Sequence, residues 1–177
     1  MKGNNCSPPD YRQVITTVDG REVILRPLRY EDKEAFLDMF NRLTNETKFL
    51  RYHYLKLNMT LDEANEYCKL DYHDTFVLVA EIQRGTKRDI VGLGRWDRIT
   101  PCTLAEISFL VEDKEQGKGI CTSLLKYLTE IAREKGITRF IGELTNENQI
   151  MLDILKKYKP DLNEVLDGVD IIISFDI

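Results

Sequence analysis

Short strand-like stretches alternate with helical ones along the chain, and the period of the apolar positions changes with them. Residues 14–18 read as a strand, Asp19-Gly20 supplies a tight-turn signal, and residues 22–25 read as a returning strand, which predicts a β-hairpin. Pro27 ends the second strand because it has no ladder donor. From Tyr30 the spacing becomes helical: Ala35, Phe36, Met39, Phe40 and Leu43 share one face, and Glu31 and Asp32 sit where the helix dipole is positive. Thr60, with Glu63 three residues on, forms a capping box and predicts a second helix to about Leu70. Two β-rich stretches, 75–82 and 89–96, flank the polar residues 83–88 and read as an antiparallel pair. A third strand, 104–111, runs into a charged, glycine-bearing loop at 112–119. In the long helix that follows, Ile120, Cys121, Leu124, Leu125, Leu128, Ile131 and Ala132 share a face and Gly136 is the stop. A strand at 137–144, a helix marked by Ile150, Met151, Ile154, Leu155 and Tyr158, and a β-rich stretch at 169–175 complete the order.

That order predicts one mixed α/β domain over residues 11–177, preceded by a flexible segment at 1–10. A length of 177 residues suffices for one sizeable core, and 42% hydrophobic with 31% charged side chains places the chain among soluble globular proteins. Thirty acidic against 25 basic residues give a net charge of -5, which argues against a broad nucleic-acid footprint and leaves room for a local anion site. Cys6, Cys68, Cys102 and Cys121 show none of the spacings of zinc or dithiol sites, so reduced thiols in a cytoplasmic protein are expected. Residues 1–10 lack the apolar core of a signal peptide, and the longest apolar runs, 76–80 and 171–175, are strand-length. Neither secretion nor a membrane span is therefore expected.

The segment with most chemical content is Gln116-Gly117-Lys118-Gly119-Ile120-Cys121, between a strand and an amphipathic helix. Its glycines let the backbone turn and approach a ligand, the first amides of the helix favour an anion, and Lys114 and Lys118 add positive charge. The other reading of the motif is a solvated turn. It lacks the Gly-Lys-Ser/Thr ending of a P-loop and does not open a chain-initial βαβ unit, which disfavours a nucleoside triphosphate or a dinucleotide. On pattern alone, Glu106 and Glu143 are outward residues of alternating strands. His53 and His73 are too isolated for a metal motif and read as surface or packing residues.

The strand, the Gln-x-x-Gly-x-Gly/Ala loop and the long helix resemble the acetyl-CoA-binding motif of the GNAT superfamily of N-acetyltransferases, matched by Gln116, Gly119 and, with a departure, Cys121. Arg26-Pro27-Leu28, Asp32, Phe49, Arg51, Asp71-Tyr72 and residues 77–81 resemble the N-terminal half of bacterial protein-lysine acetyltransferase domains. Ala105-Glu106, Gly142-Glu143, Asn148 and Met151 continue that pattern, so the resemblance spans residues 22–158. It implies a central mixed, mostly antiparallel sheet with helices on both faces and a splayed parallel strand pair, here 104–111 and 137–144. It also implies acetyl-CoA as co-substrate and no metal, and the charge and run lengths above leave no nucleic-acid or membrane partner expected.

By the same resemblance, Phe109, Leu110 and Val111 offer main-chain partners to pantetheine, and Gln116, Gly117, Lys118, Gly119, Ile120, Cys121 and Thr122 surround the pyrophosphate. Asn148 matches a residue that orients the cofactor, and it also reads as a plain helix-start asparagine. A primary amine is almost wholly protonated near neutral pH, so acyl transfer to it needs a base. Glu106 matches the base of the protein-acetyltransferase branch, with partial desolvation expected to raise its pKa, and Glu143 matches a base position of other branches. The implied acceptor is a protein lysine, with a small amine as alternative, in a groove formed mainly by the N-terminal half, including the two helices between Tyr30 and Leu70. Leu155 stands where many members carry a tyrosine acid, and Lys159-Pro160 replaces a usual Gly-Phe. The missing tyrosine leaves open a second reading, a catalytically weak acyl-CoA-binding regulatory module.

Overall fold

The computed structural model describes residues 9–177; residues 1–8, with Cys6 and most of the segment expected to be flexible, lie outside the described residues. The elements run β1 (Gln13–Thr16), β2 (Glu22–Pro27), α1 (Lys33–Arg42), α2 (Asn45–Tyr52), α3 (Leu61–Tyr67), β3 (Thr75–Arg84), β4 (Lys87–Ile99), β5 (Leu104–Val111), α4 (Ile120–Glu134), β6 (Arg139–Thr145), α5 (Gln149–Tyr158), β7 (Asn163–Asp167) and β8 (Asp170–Asp176). The strands form one sheet in the order β1-β2-β3-β4-β5-β6-β8-β7. All neighbours pair antiparallel except β5 and β6.

Helices cover both faces of the sheet because their apolar stripes need a partner surface. On one face Leu124, Leu125, Leu128 and Ala132 of α4 pack with Ala105, Ile107, Phe140 and Phe175. On the other, Phe36, Met39 and Phe40 of α1 pack with Val77, Val79, Leu93 and Leu110. Arg26 of β2 ties the start of α1 to the sheet. Its guanidinium donates to Asp32 at 2.7 and 2.9 Å, just ahead of α1, and to Glu81 of β3 at 2.8 Å. That fork-on-carboxylate geometry explains the Arg26 and Asp32 pair noted in the sequence.

Two elements depart from the sequence expectation. Between β2 and β3 there are three helices instead of two: α2 is short and its buried residues, Thr47 and Lys48, are polar, so apolar spacing does not reveal it. Thr44 starts it, accepting from the Thr47 amide at 3.2 Å. The second is β7, whose five residues are all exposed and which exists by pairing along β8. The polar stretch 83–88 also contracts to a two-residue turn, since β3 and β4 pair up to Arg84 and Lys87. Gly85, at φ 63°, supplies the left-handed conformation such a turn needs.

Candidate acyl-transfer site

The parallel ladder between β5 and β6 is short. It joins Leu104 to Arg139, Ala105 to Phe140 and Glu106 to Ile141, and then stops. Each strand keeps its other partner beyond that point, β5 with β4 as far as Val111 and β6 with β8 as far as Thr145. The two strands therefore diverge from Glu106 onward and turn main-chain groups of β5 toward a cleft. A cavity of about 840 Å³ occupies the fork and is lined by Phe109, Leu110 and Val111 on one arm and Gly142, Glu143 and Leu144 on the other. Gly142 lets the arms meet closely at the apex: a Cβ there would stand 3.3 Å from the Ile107 carbonyl oxygen and 3.1 Å from Ile173 Cδ1. Under the β5 arm, the Phe109 ring lies on Gly94, where a Cβ would come within 2.8 Å of it.

The loop into α4 closes one end of this cavity. Gly117 and Gly119 have φ of 72° and 85°, conformations that cost other residues free energy. Gly119 is the N-cap of α4 and has no side chain to cap the amides of Ile120, Cys121 and Thr122, so an anion fits where a capping oxygen normally sits. Gln116 crosses the loop base, its Nε2 donating to the Val111 carbonyl at 3.1 Å and to Thr47 Oγ1 at 3.3 Å.

Beneath the loop Glu115 is 4% exposed, a burial that sequence reading missed. It accepts from Arg21 at 2.5 Å, Arg84 at 3.2 Å and Lys118 at 3.1 Å. Burial pushes its carboxyl up, but the three cationic donors outweigh burial and hold it at about 2. The Lys118 ammonium is thus neutralised within the protein, and its residue does not line the cavity. What the loop offers an anion is therefore chiefly its main-chain amides at the start of α4.

Cys121, the departure from the family motif, is half-buried at the start of α4 with its Sγ 3.6 Å from Met151 Sδ. Burial pushes this thiol up to about 12, so it stays neutral and adds no negative charge beside a phosphate. Asn148 caps α5, its Oδ1 accepting from the Met151 amide at 3.3 Å, and also lines the cavity. Leu155 is buried against the same cavity, so that position offers no proton donor.

Glu106 sits at the apex of the fork and is exposed, so the partial desolvation expected of it is absent in the free protein. Strand alternation and the registers put Ser108, Glu143 and Asp170 on the same face of the sheet as Glu106. The C-terminal end of α2 meets that face. Arg51 donates to Ser108 Oγ at 2.9 Å, and His53 Nδ1 lies 3.8 Å from Glu143 and 3.5 Å from Asp170. His53, expected at the surface or in packing, is instead part of the cavity lining, as are Arg51 and Asp170. Phe49 is 38% exposed and does not belong to the core. Asp71 and Tyr72 lie away from the cavity: Asp71 accepts three backbone amides of its own turn, and the Tyr72 hydroxyl donates to the Leu28 carbonyl at 3.0 Å. Nothing local in the sequence marks Asp170, which reaches the site through pairing of β8 with β6.

The family model for the acetyltransferase (GNAT) domain matches residues 22–159. An acetyltransferase of Pseudomonas aeruginosa is 26% identical over 136 residues, covering 77% of this chain and 73% of its own. Acetyltransferase Pat of Mycolicibacterium smegmatis is 28% identical over 158 residues, covering 86% of this chain, which spans only 46% of that relative. Among solved structures, the GNAT domain of S. lividans PAT superposes with a TM-score of 0.86 at 24% identity, covering 97% of this chain and 99% of its own. No helix among the described residues is long and apolar enough to cross a membrane. With the forked strand pair and the open helix start at Gly119 already in place, these matches establish that the chain belongs to the GNAT family of acetyl-CoA-dependent acetyltransferases.

Proposed function

We propose that residues 11–177 work as one cytoplasmic catalytic unit that transfers the acetyl group of acetyl-CoA to the ε-amine of a protein lysine. The observation that carries this reading is the coincidence of three features at one fork: the end of the β5–β6 ladder, the apex carboxylate Glu106, and the unpaired edge of β5 leading to the Gly119 helix start. In this reading the amides of Gly117 to Thr122 hold the pyrophosphate, and the main chain of Phe109 to Val111 orients the pantetheine arm in the cleft. Asn148, on the opposite wall, steadies it. A β5 amide polarises the thioester carbonyl, and holding both reactants in one cleft removes much of the entropic barrier.

Glu106 takes the amine proton, directly or through a water, as the new amide bond forms and the thiolate leaves. Glu143 and Asp170 on the same face make the acceptor side acidic, which favours an incoming ammonium group over an anionic acceptor. A lysine on a folded protein suits a mouth that opens at the end of α2, beside Arg51 and the exposed Phe49.

Two measurements test the reading. Thermal shifts with CoA, acetyl-CoA, NAD and ATP should show stabilisation by the two CoA compounds alone. Labelled acetyl groups from acetyl-CoA, offered to separated lysate proteins and metabolites, should then enter protein lysines. Labelling confined to small amines would refute the protein acceptor and keep the transferase. Binding of acetyl-CoA without transfer to any amine would favour the regulatory module instead.

A further inference from the structure

We infer that His53, Glu143 and Asp170 form a binding site for a zinc-like divalent transition metal at the acceptor mouth. The three side chains come from different elements, the end of α2, the β6 arm of the fork and the start of β8. One ligand atom of each lies within 4.8 Å of the other two.

The spacing is informative. His53 Nδ1 stands 3.5 Å from an Asp170 oxygen and 3.8 Å from a Glu143 oxygen, too far for good hydrogen bonds. A tetrahedral zinc with bonds of about 2.0–2.2 Å to nitrogen and oxygen sets its ligands about 3.4 Å apart. The two separations from His53 Nδ1 need to close by only a few tenths of an ångström, and the two carboxylate oxygens lie within 4.8 Å of each other. Two carboxylate oxygens within 4.8 Å repel each other, and a cation between them offsets that repulsion.

The backbone at His53 supports a held ligand. His53 has φ 59° and ψ 10°, a left-handed conformation that costs a non-glycine residue of order 1 kcal/mol. Its amide donates to the Phe49 carbonyl at 2.8 Å, which ends α2 and fixes the position of the residue over the sheet. Its side chain is 26% exposed and that of Asp170 22%, so two of the three ligands are already partly withdrawn from water. The Glu143 side chain is 51% exposed, so the cluster is open to solvent on that side. One imidazole with two carboxylates suits zinc and its neighbours in the transition series, whereas magnesium prefers an all-oxygen octahedron.

The test is a calorimetric titration of the untagged protein with zinc chloride, without acetyl-CoA or amine. The wild type should bind one equivalent, with no response to magnesium. His53→Asn removes the imidazole and keeps a residue that tolerates the left-handed backbone. Asp170→Asn keeps the size and removes the charge. Each should weaken zinc binding by more than about 100-fold, since losing a ligand outweighs losing its supporting partner. Circular dichroism confirms the fold of each variant. His73→Ala, which removes the other histidine, and Cys102→Ser, which removes an exposed thiol, should bind as the wild type does. No saturable wild-type binding, or wild-type binding in either His53→Asn or Asp170→Asn, would overturn the site.

A second readout rests on the acyltransferase reading: bound zinc should raise KM for the amine and leave acetyl-CoA affinity unchanged. Because the titration contains neither substrate, failure of that reading and failure of the metal site are separately visible.

Discussion

Glu115→Gln removes the one carboxylate that joins the β1–β2 hairpin, β3 and the loop before α4, through Arg21, Arg84 and Lys118. The folded protein holds this carboxyl at about 2 against an ordinary 4.5, which corresponds to about 3 kcal/mol of preference for the charged form. Two features of the structure reduce the loss. Each cation keeps a second acid, Arg21 with Asp19 at 2.8 Å, Arg84 with Glu112 at 3.1 Å and Lys118 with Asp19 at 3.7 Å. The side chains of Arg21 and Arg84 are also 39% and 33% exposed, so water screens part of the attraction. The expected destabilisation near neutral pH is therefore about 2 kcal/mol.

Its pH dependence has a definite sign. A carboxyl whose pKa is lowered by folding stabilises fully above its unfolded value and loses that contribution as the pH falls toward its folded value. The gap between wild type and Glu115→Gln should thus be constant above about pH 5 and shrink steadily between about pH 5 and 2. Urea unfolding followed by circular dichroism at a series of pH values measures it directly. A gap below about 0.5 kcal/mol near neutrality, or one that stays constant through the acid range, would refute the claim that this carboxylate fastens the loop. Because the same loop presents the Gly119 helix start, calorimetry at pH 7 should also show weaker acetyl-CoA binding by the variant.

Three further outcomes are expected. Glu106→Gln should keep acetyl-CoA affinity and lower kcat on the order of 100-fold, and full activity here with a dead Glu143→Gln would move the base to β6. Gly119→Glu has room for its Cβ, whose nearest neighbour is Val18 Cγ2 at 4.0 Å, but sets a carboxylate beside the phosphate amides on a strained backbone. Acetyl-CoA should then cease to register by calorimetry while the fold persists by circular dichroism. Gly94→Ala brings a methyl within 2.8 Å of the Phe109 ring, and should cost about 1–3 kcal/mol in thermal unfolding and weaken acetyl-CoA binding by displacing a wall of the cleft.

The sequence by itself determined those features whose physical cause is local. The apolar stripe of α4, its stop at Gly136, the Thr60 capping box and the Asp19-Gly20 turn all depend on residues within a few positions of one another, and each is found where the pattern put it. The loop at Gln116 to Cys121 was legible for the same reason, since glycines at a strand-to-helix junction dictate a turn and an uncapped helix start. Tertiary structure decided the rest. Helix α2 is only eight residues long and buries Thr47 and Lys48, and β7 is exposed throughout, so a count of apolar positions finds neither; each is held by what it lies against. Glu115 looks like one more loop acid until the hairpin and β3 bring two arginines onto it. His53, Glu143 and Asp170 are far apart along the chain and become neighbours only because β8 pairs with β6 and α2 ends above them. Local periodicity encodes which face of an element is buried, whereas the meeting of polar side chains across elements follows from sheet order and register, which no short window of sequence contains.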